Sequence, residues 1–180
     1  AYFREPKYIY LYRDGRDVVL SFTKAVIGDK HPYIIAHKWA ELQRLCLQHR
    51  ERAPERIFSL RYEELIADPE AVLRRLCPFL GIAYRDTMLA GHTSTEASRT
   101  ARSSSLWENL TKPIMRDNSQ KFLRELSVED IRIIESVAGD CLDTLGYDRV
   151  YVQRDEKIVF GEGEITAFHA KNHALVKRCE

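Results

Sequence analysis

One segment limits the fold more than any other. Lys7-Tyr-Ile-Tyr-Leu-Tyr-Arg13 runs directly into Asp14-Gly15 and then into a helical pattern. The first seven residues are aromatic and β-branched with no breaker, which predicts a buried strand. From Asp17 to about Ile27, the apolar residues Val18, Val19, Phe22 and Val26 recur at helical spacing. Ile34 to Arg52 predicts a second helix, with Ile35, Trp39, Leu42, Leu45/Cys46 and His49 on one face. Ile57-Phe-Ser-Leu60 predicts a second short strand. A connection this long between two strands suits a parallel, right-handed crossover. The expected fold class is therefore α/β.

The rest of the chain fits that grammar. Pro69 suits the first turn of a helix capped by Asp68, which runs through Val72, Leu73, Leu76 and Leu80 to a stop at Gly81. Residues 82–118 are rich in Ser and Thr and predict irregular chain. Ser127-Val-Glu-Asp130 resembles a capping box that opens a helix, with Ile131, Ile134, Val137, Cys141 and Leu145 as its apolar stripe and Gly146 as its stop. The tail predicts a strand at Lys157-Ile-Val-Phe160 and a helix around Ile165 to Val176.

Charge narrows the function classes. The chain has 28 basic and 27 acidic residues, a net charge of +1, which lacks the strong basic excess of a general nucleic-acid binder. Residues 1–62 nevertheless hold 12 Lys and Arg against 7 Asp and Glu. A locally basic third in a neutral protein points to a small anionic ligand. No apolar run approaches the ~20 residues of a spanning helix. Cys46, Cys77 and Cys141 lie in apolar helical stretches, read as buried thiols without zinc-ligand spacing. That usage suits a reducing compartment, and a cytoplasmic location is the expectation.

Two segments are candidates for chemistry. Arg13 sits at the carboxyl end of a strand, where open α/β sheets bind ligands. The helix that follows offers free N–H groups to an anion, Gly15 would allow close approach, and Ser21 adds a hydroxyl. One guanidinium, one hydroxyl and a helix start suit a phosphate monoester. The plain alternative is a strand-end Arg paired with Asp14 or Asp17, and a Ser that faces solvent. Tyr62 also follows a strand, so its ring could stack on a base or its hydroxyl could bond a ring nitrogen. The plain alternative there is a Tyr packed under the next helix.

Together these segments resemble the sulfotransferase superfamily, which uses 3′-phosphoadenosine-5′-phosphosulfate (PAPS). Arg13 to Ser21 is similar to its 3′-phosphate motif. Arg61-Tyr62-Glu63-Glu64-Leu65, continuing to Asp68-Pro69 and Phe79-Leu80-Gly81, is similar to its next block. Lys112-Pro113, followed by Ser119-Gln120-Lys121-Phe122, is similar to a block of the tyrosylprotein and bacterial branch. The resemblance covers residues 5 to about 148, with 149–180 as an extension. It implies that Arg13 and Ser21 hold the 3′-phosphate, Tyr62 touches the adenine and Lys121 lies near the phosphosulfate. It further implies a P-loop-NTPase-like three-layer sandwich with a parallel sheet.

The departures carry expectations too. The family's Gly/Ser/Thr-rich loop for the 5′-phosphosulfate, and its usual His or Glu base, have no counterpart in this sequence. The chain thus looks like the C-terminal part of a sulfotransferase, incomplete at its N-terminus, and no catalytic residue is assigned. His92 reads as a solvated loop residue. His169 and His173 have the i, i+4 spacing of a metal pair without an evident third ligand. The implied function is transfer of a sulfuryl group from PAPS to a small-molecule, glycan or peptide hydroxyl, leaving adenosine 3′,5′-bisphosphate (PAP), with no metal. The alternatives are a non-catalytic PAP-binding fragment and a P-loop kinase-like nucleotide enzyme. Loss of a central neighbouring strand would expose an apolar edge, so a dimer or a requirement for a missing N-terminal segment is expected.

Overall fold

The computed structural model describes residues 5–178. The chain divides into two compact units. One comprises the chain up to Tyr12 together with Arg52–Ser119; the other comprises Arg13–Glu51 and the residues from Gln120 onward. The structure is mixed α/β, mostly helical, with a small parallel two-stranded sheet. Among the described residues no helix is long and apolar enough to cross a membrane.

The first unit holds the sheet. Strand β1 is Tyr8–Tyr12 and β2 is Ile57–Arg61, in parallel register from Tyr8↔Ile57 to Tyr12↔Arg61. The parallel pairing follows the expectation, but the predicted burial of β1 does not. Only Tyr10 is buried, while Tyr8, Ile9 and Leu11 are about half exposed. Strand propensity reports backbone fit, and burial depends on what packs against each face. Helix α3, Tyr62–Ala67, starts immediately after β2. Helix α4, Pro69–Leu80, begins as predicted, with the Asp68 carboxylate accepting the Ala71 N–H at 3.0 Å. It ends at Gly81, whose φ of 76° is open to glycine at little cost. Val72, Leu76 and Cys77 are its buried residues, and Phe79 meets Phe58 of β2 at 5.5 Å between ring centres.

Residues 82–118 correct the sequence reading in part. Two 3-10 helices, Asp86–Thr93 and Ser105–Thr111, flank a helix α5 at Thr95–Ser103. Its Ser/Thr-rich composition reads as loop, yet Ser94 caps it by accepting the Ala97 N–H. Glu96 in the first turn and Arg102 in the last match the helix dipole. No α5 residue is buried, so no apolar stripe announced it.

The second unit is helical. Helix α1 is Gly15–Lys24, α2 is Pro32–Arg52, α6 is Phe122–Glu125, α7 is Val128–Thr144 and α8 is Glu162–Lys177. Val19, Ile35, Ala36 and Ile134 form its core, with Leu126 and Val137 against them. Ser127 caps α7 as predicted, accepting the Asp130 N–H at 3.0 Å, and Gly146 takes a positive φ just past its end. The buried face of α2 differs from the predicted one: it runs through Ala36, Trp39, Ala40, Gln43 and Leu47, leaving Leu42 and Leu45 over half exposed. On that face the Cys141 thiol of α7 donates to the Ala40 carbonyl at 3.5 Å. Cys77 and Cys141 are buried, whereas Cys46, beside Leu42 and Leu45, is only half-buried.

The predicted strand at 157–160 is absent. Phe160 instead packs edge-on to Tyr33 and Phe168, at 5.6 and 5.4 Å. This aromatic group helps to dock α8, together with Asn172. The Asn172 side-chain oxygen accepts the N–H groups of Lys30 and His31, and its amide donates to Asp29.

Candidate functional site

The chemistry predicted for the Arg13 segment meets a specific local architecture. Asp14 caps α1, its carboxylate accepting the Arg16 N–H at 2.9 Å. Thus one of the amides at the helix start, that of Arg16, is already held by the chain's own carboxylate. The reading of Gly15 is corrected. A Cβ there would lie 2.9–3.1 Å from ring atoms of Trp39, so the glycine makes room for the Trp39 indole.

Arg16 is buried beneath this turn. It donates twice to Asp14, at 2.9 and 2.7 Å, once to Glu135 at 2.7 Å and once to the Asp148 carbonyl at 2.8 Å. Its guanidinium also lies 4.2 Å from the centre of the Phe122 ring. Burial works against its charge, but pairing with Asp14 and Glu135 prevails and raises its pKa. Glu135, on α7, accepts the N–H groups of Val150, Tyr151 and Val152 as well. This network is structural, and the sequence reading missed it. The alternation of charge in Arg13-Asp14-Gly15-Arg16-Asp17 was the available signal.

Asp17 is 1% exposed, in the first turn of α1. Its carboxylate accepts the N–H of Gln120 at 2.7 Å and of Phe122 at 3.0 Å, and lies 3.7 Å from the Arg13 guanidinium. Burial pushes its pKa up, while the Phe122 amide and Arg13 pull it down. The ion pair named as the plain alternative for Arg13 is therefore present. It is long, however, and the Arg13 side chain keeps 21% of its exposure. Ser21 is exposed, one helical turn beyond Asp17 on α1. Lys121 is half-buried between the two amides that Asp17 holds. Of the four candidate residues, Arg13 faces Asp17 directly, Lys121 lies between the two residues whose amides Asp17 accepts, and Ser21 is one turn away on the same helix.

Tyr62 belongs to the other unit. It opens α3 half-buried, and its hydroxyl accepts a hydrogen bond from the Asn118 amide at 2.7 Å. Asn118 was not singled out from the sequence. Along the chain, Arg13 directly follows Tyr12 and Tyr62 directly follows Arg61, and Tyr12 and Arg61 are register partners. His92 is half-buried in the 3-10 helix at Asp86–Thr93. Among the described residues, no cluster of three or more His, Cys, Asp or Glu side chains is arranged to hold a metal.

Comparison with known proteins agrees with the family resemblance. Residues 1–86 match the sulfotransferase family. The chain is also similar to a protein-tyrosine sulfotransferase of Drosophila melanogaster, 25% identical over 158 residues, covering 81% of this chain and 31% of that protein. The chain thus spans about a third of the length of that curated relative. The two matches support a sulfotransferase-superfamily assignment.

Proposed function

We propose that this chain is part of a PAPS-dependent sulfotransferase and supplies contacts to the nucleotide end of the co-substrate. The observation that carries the reading is that Asp17 faces the Arg13 guanidinium and also holds the amides on either side of Lys121, with Ser21 one turn further along α1. Arg13 and Ser21 also lie within the segment that matches the sulfotransferase family. A largely buried guanidinium, an exposed hydroxyl and an ammonium suit the dianion of a phosphate monoester. Because Asp14 occupies the Arg16 amide at the start of α1, these side chains are assigned the larger part of the holding.

In this reading Arg13 and Ser21 hold the 3′-phosphate and Lys121 binds toward the phosphosulfate. Tyr62, whose hydroxyl is engaged by Asn118, offers its ring face to adenine. When bound, PAPS would supply an activated sulfuryl group: its sulfur–oxygen bond to the 5′-phosphate would break as a bond to the acceptor oxygen forms, the acceptor's hydroxyl proton would pass to a base or water, and PAP would leave. The residues of this chain orient and neutralise the nucleotide, which is where positioning and charge stabilisation act in such displacements. The parallel β1–β2 pair fits a larger P-loop-like sandwich, and the named relative makes a peptide tyrosine one candidate hydroxyl acceptor.

A competition assay tests the reading. PAP and PAPS should bind about equally, and 5′-AMP roughly thirtyfold more weakly, the equivalent of ~2 kcal/mol for one well-held phosphate. Equal binding of 5′-AMP or ATP would contradict it and favour a kinase-like nucleotide enzyme. Binding without turnover under any acceptor would favour a PAP-binding fragment.

A further inference from the structure

We propose that Asp17 is a positioning residue, whose single carboxylate sets the turn carrying Lys121 and the guanidinium of Arg13 in one frame. The inference rests on the reading of Arg13 and Lys121 as anion contacts. It adds the residue that couples them.

A carboxylate as deeply buried as Asp17 is costly unless its oxygens are fully used, and an apolar residue of similar size fills a core better. The partners of Asp17 explain its presence. One oxygen accepts the Gln120 N–H and lies near Arg13, and the other accepts the Phe122 N–H. Those two amides bracket Lys121. Gln120 has a φ of 54°, a left-handed conformation that a residue with a side chain adopts reluctantly, so the turn needs an external hold. Asp17 supplies it at the backbone. Arg16 supplies a second hold by stacking on the Phe122 ring, which is 2% exposed. The Lys121 backbone is therefore pinned on both sides, and the residue itself stays half-buried.

The same carboxylate faces Arg13 at 3.7 Å, close enough to orient the guanidinium and too long for a tight hydrogen-bonded pair. An anion arriving at Arg13 thus meets a side chain already aimed. Any change in the Arg13–Asp17 attraction passes directly to the two bonds that hold Lys121. The coupling crosses one residue.

Two measurements test this, one with ligand and one without. In a calorimetric cycle with PAP, Lys121→Ala should weaken binding about fivefold in the native chain and have no further effect in an Asp17→Asn background. An equal cost in both backgrounds would overturn the proposal, because Asp17 would then not act through Lys121. Separately, hydrogen exchange at the Gln120 and Phe122 amides should quicken about tenfold or more in Asp17→Asn, and about threefold in Arg13→Ala, with the α7 amides unchanged. Unaltered exchange at these two amides in Arg13→Ala would also overturn it, whatever the fate of the Asp17 variant. If the native chain binds no PAP, the nucleotide reading fails, and the Arg13→Ala exchange result alone decides the positioning role.

Discussion

The Arg16 guanidinium donates to the Glu135 carboxylate at 2.7 Å across 119 residues of chain, with both side chains buried. The pair joins the start of α1 to the middle of α7. Because Glu135 also accepts three successive backbone amides at 150–152, it ties a third segment to the same point.

Removing the Glu135 acceptor should be severe. Glu135→Ala would take away one of the two carboxylates that pair with buried Arg16 and leave three amides without their acceptor, for an expected loss of ~3–5 kcal/mol in urea unfolding. Glu135→Gln keeps the size and one acceptor, so it should cost less. A loss below ~1 kcal/mol for the alanine variant would mean that water reaches the pair.

Gly15 lies in the middle of the phosphate-like motif, yet its constraint comes from Trp39. Gly15→Ala places a methyl group against the Trp39 ring and should destabilise the chain by ~1–3 kcal/mol, the usual range for overpacking. Nucleotide affinity, measured where the variant is fully folded, should change little. A stable variant with lost affinity would reverse that assignment.

His31 gives the second unit a pH dependence. It is 2% exposed, stacks on Phe168 at 4.7 Å, and its Nδ1 accepts the Tyr33 N–H. Burial first and Lys171 next lower its pKa; Asp130 pulls it back up in part, and His169 adds a last, smaller lowering. The unfolded chain therefore takes up the His31 proton first. The stability that a neutral His31 contributes is complete above its ordinary value near ~6.5 and declines as pH falls from there through the lowered folded value. His31→Asn keeps a cap acceptor and should flatten the melting-temperature profile over this acid range. An unchanged slope would assign the dependence elsewhere.

Arg13 should anchor the nucleotide. Arg13→Ala is expected to weaken PAP binding by ~2 kcal/mol through loss of a charge-assisted contact. Arg13→Lys should restore it only in part, since the planar fork is lost. Titration calorimetry with unchanged affinity in Arg13→Ala would remove the central functional claim.

The exposed apolar residues of β1 should make the chain associate. Tyr8, Ile9 and Leu11 are 55%, 47% and 52% exposed on a strand paired with β2. Light scattering should show self-association that rises with concentration and falls in Leu11→Lys, because a charge on such a strand discourages pairing. A monomer at all concentrations would count against it.

Local signals in the sequence were reliable where neighbouring residues supply the energy. The Asp68 cap and Gly81 stop of α4, and the Ser127 cap and Gly146 stop of α7, are each decided within a few residues of chain. The parallel pairing of β1 and β2 followed from the length of their connection. Helix α5 was not legible because its stability comes from caps and end charges without an apolar stripe. The face of α2 was misread at Leu42 and Leu45 because spacing admits neighbouring stripes, and only the approach of α7 selects one.

The sequence alone determined that a strand end carrying Arg13 leads into a helix bearing Ser21, and the family resemblance proposed Tyr62 and Lys121 as further contacts. The tertiary structure decided what the residues between them do. Asp14, Gly15, Arg16 and Asp17 read as motif, but their roles depend on Trp39, Glu135 and the 120–122 turn, which lie up to 119 residues away along the chain. A carboxylate's function follows from the donors that surround it when water is excluded, and those donors meet it only after the chain has folded.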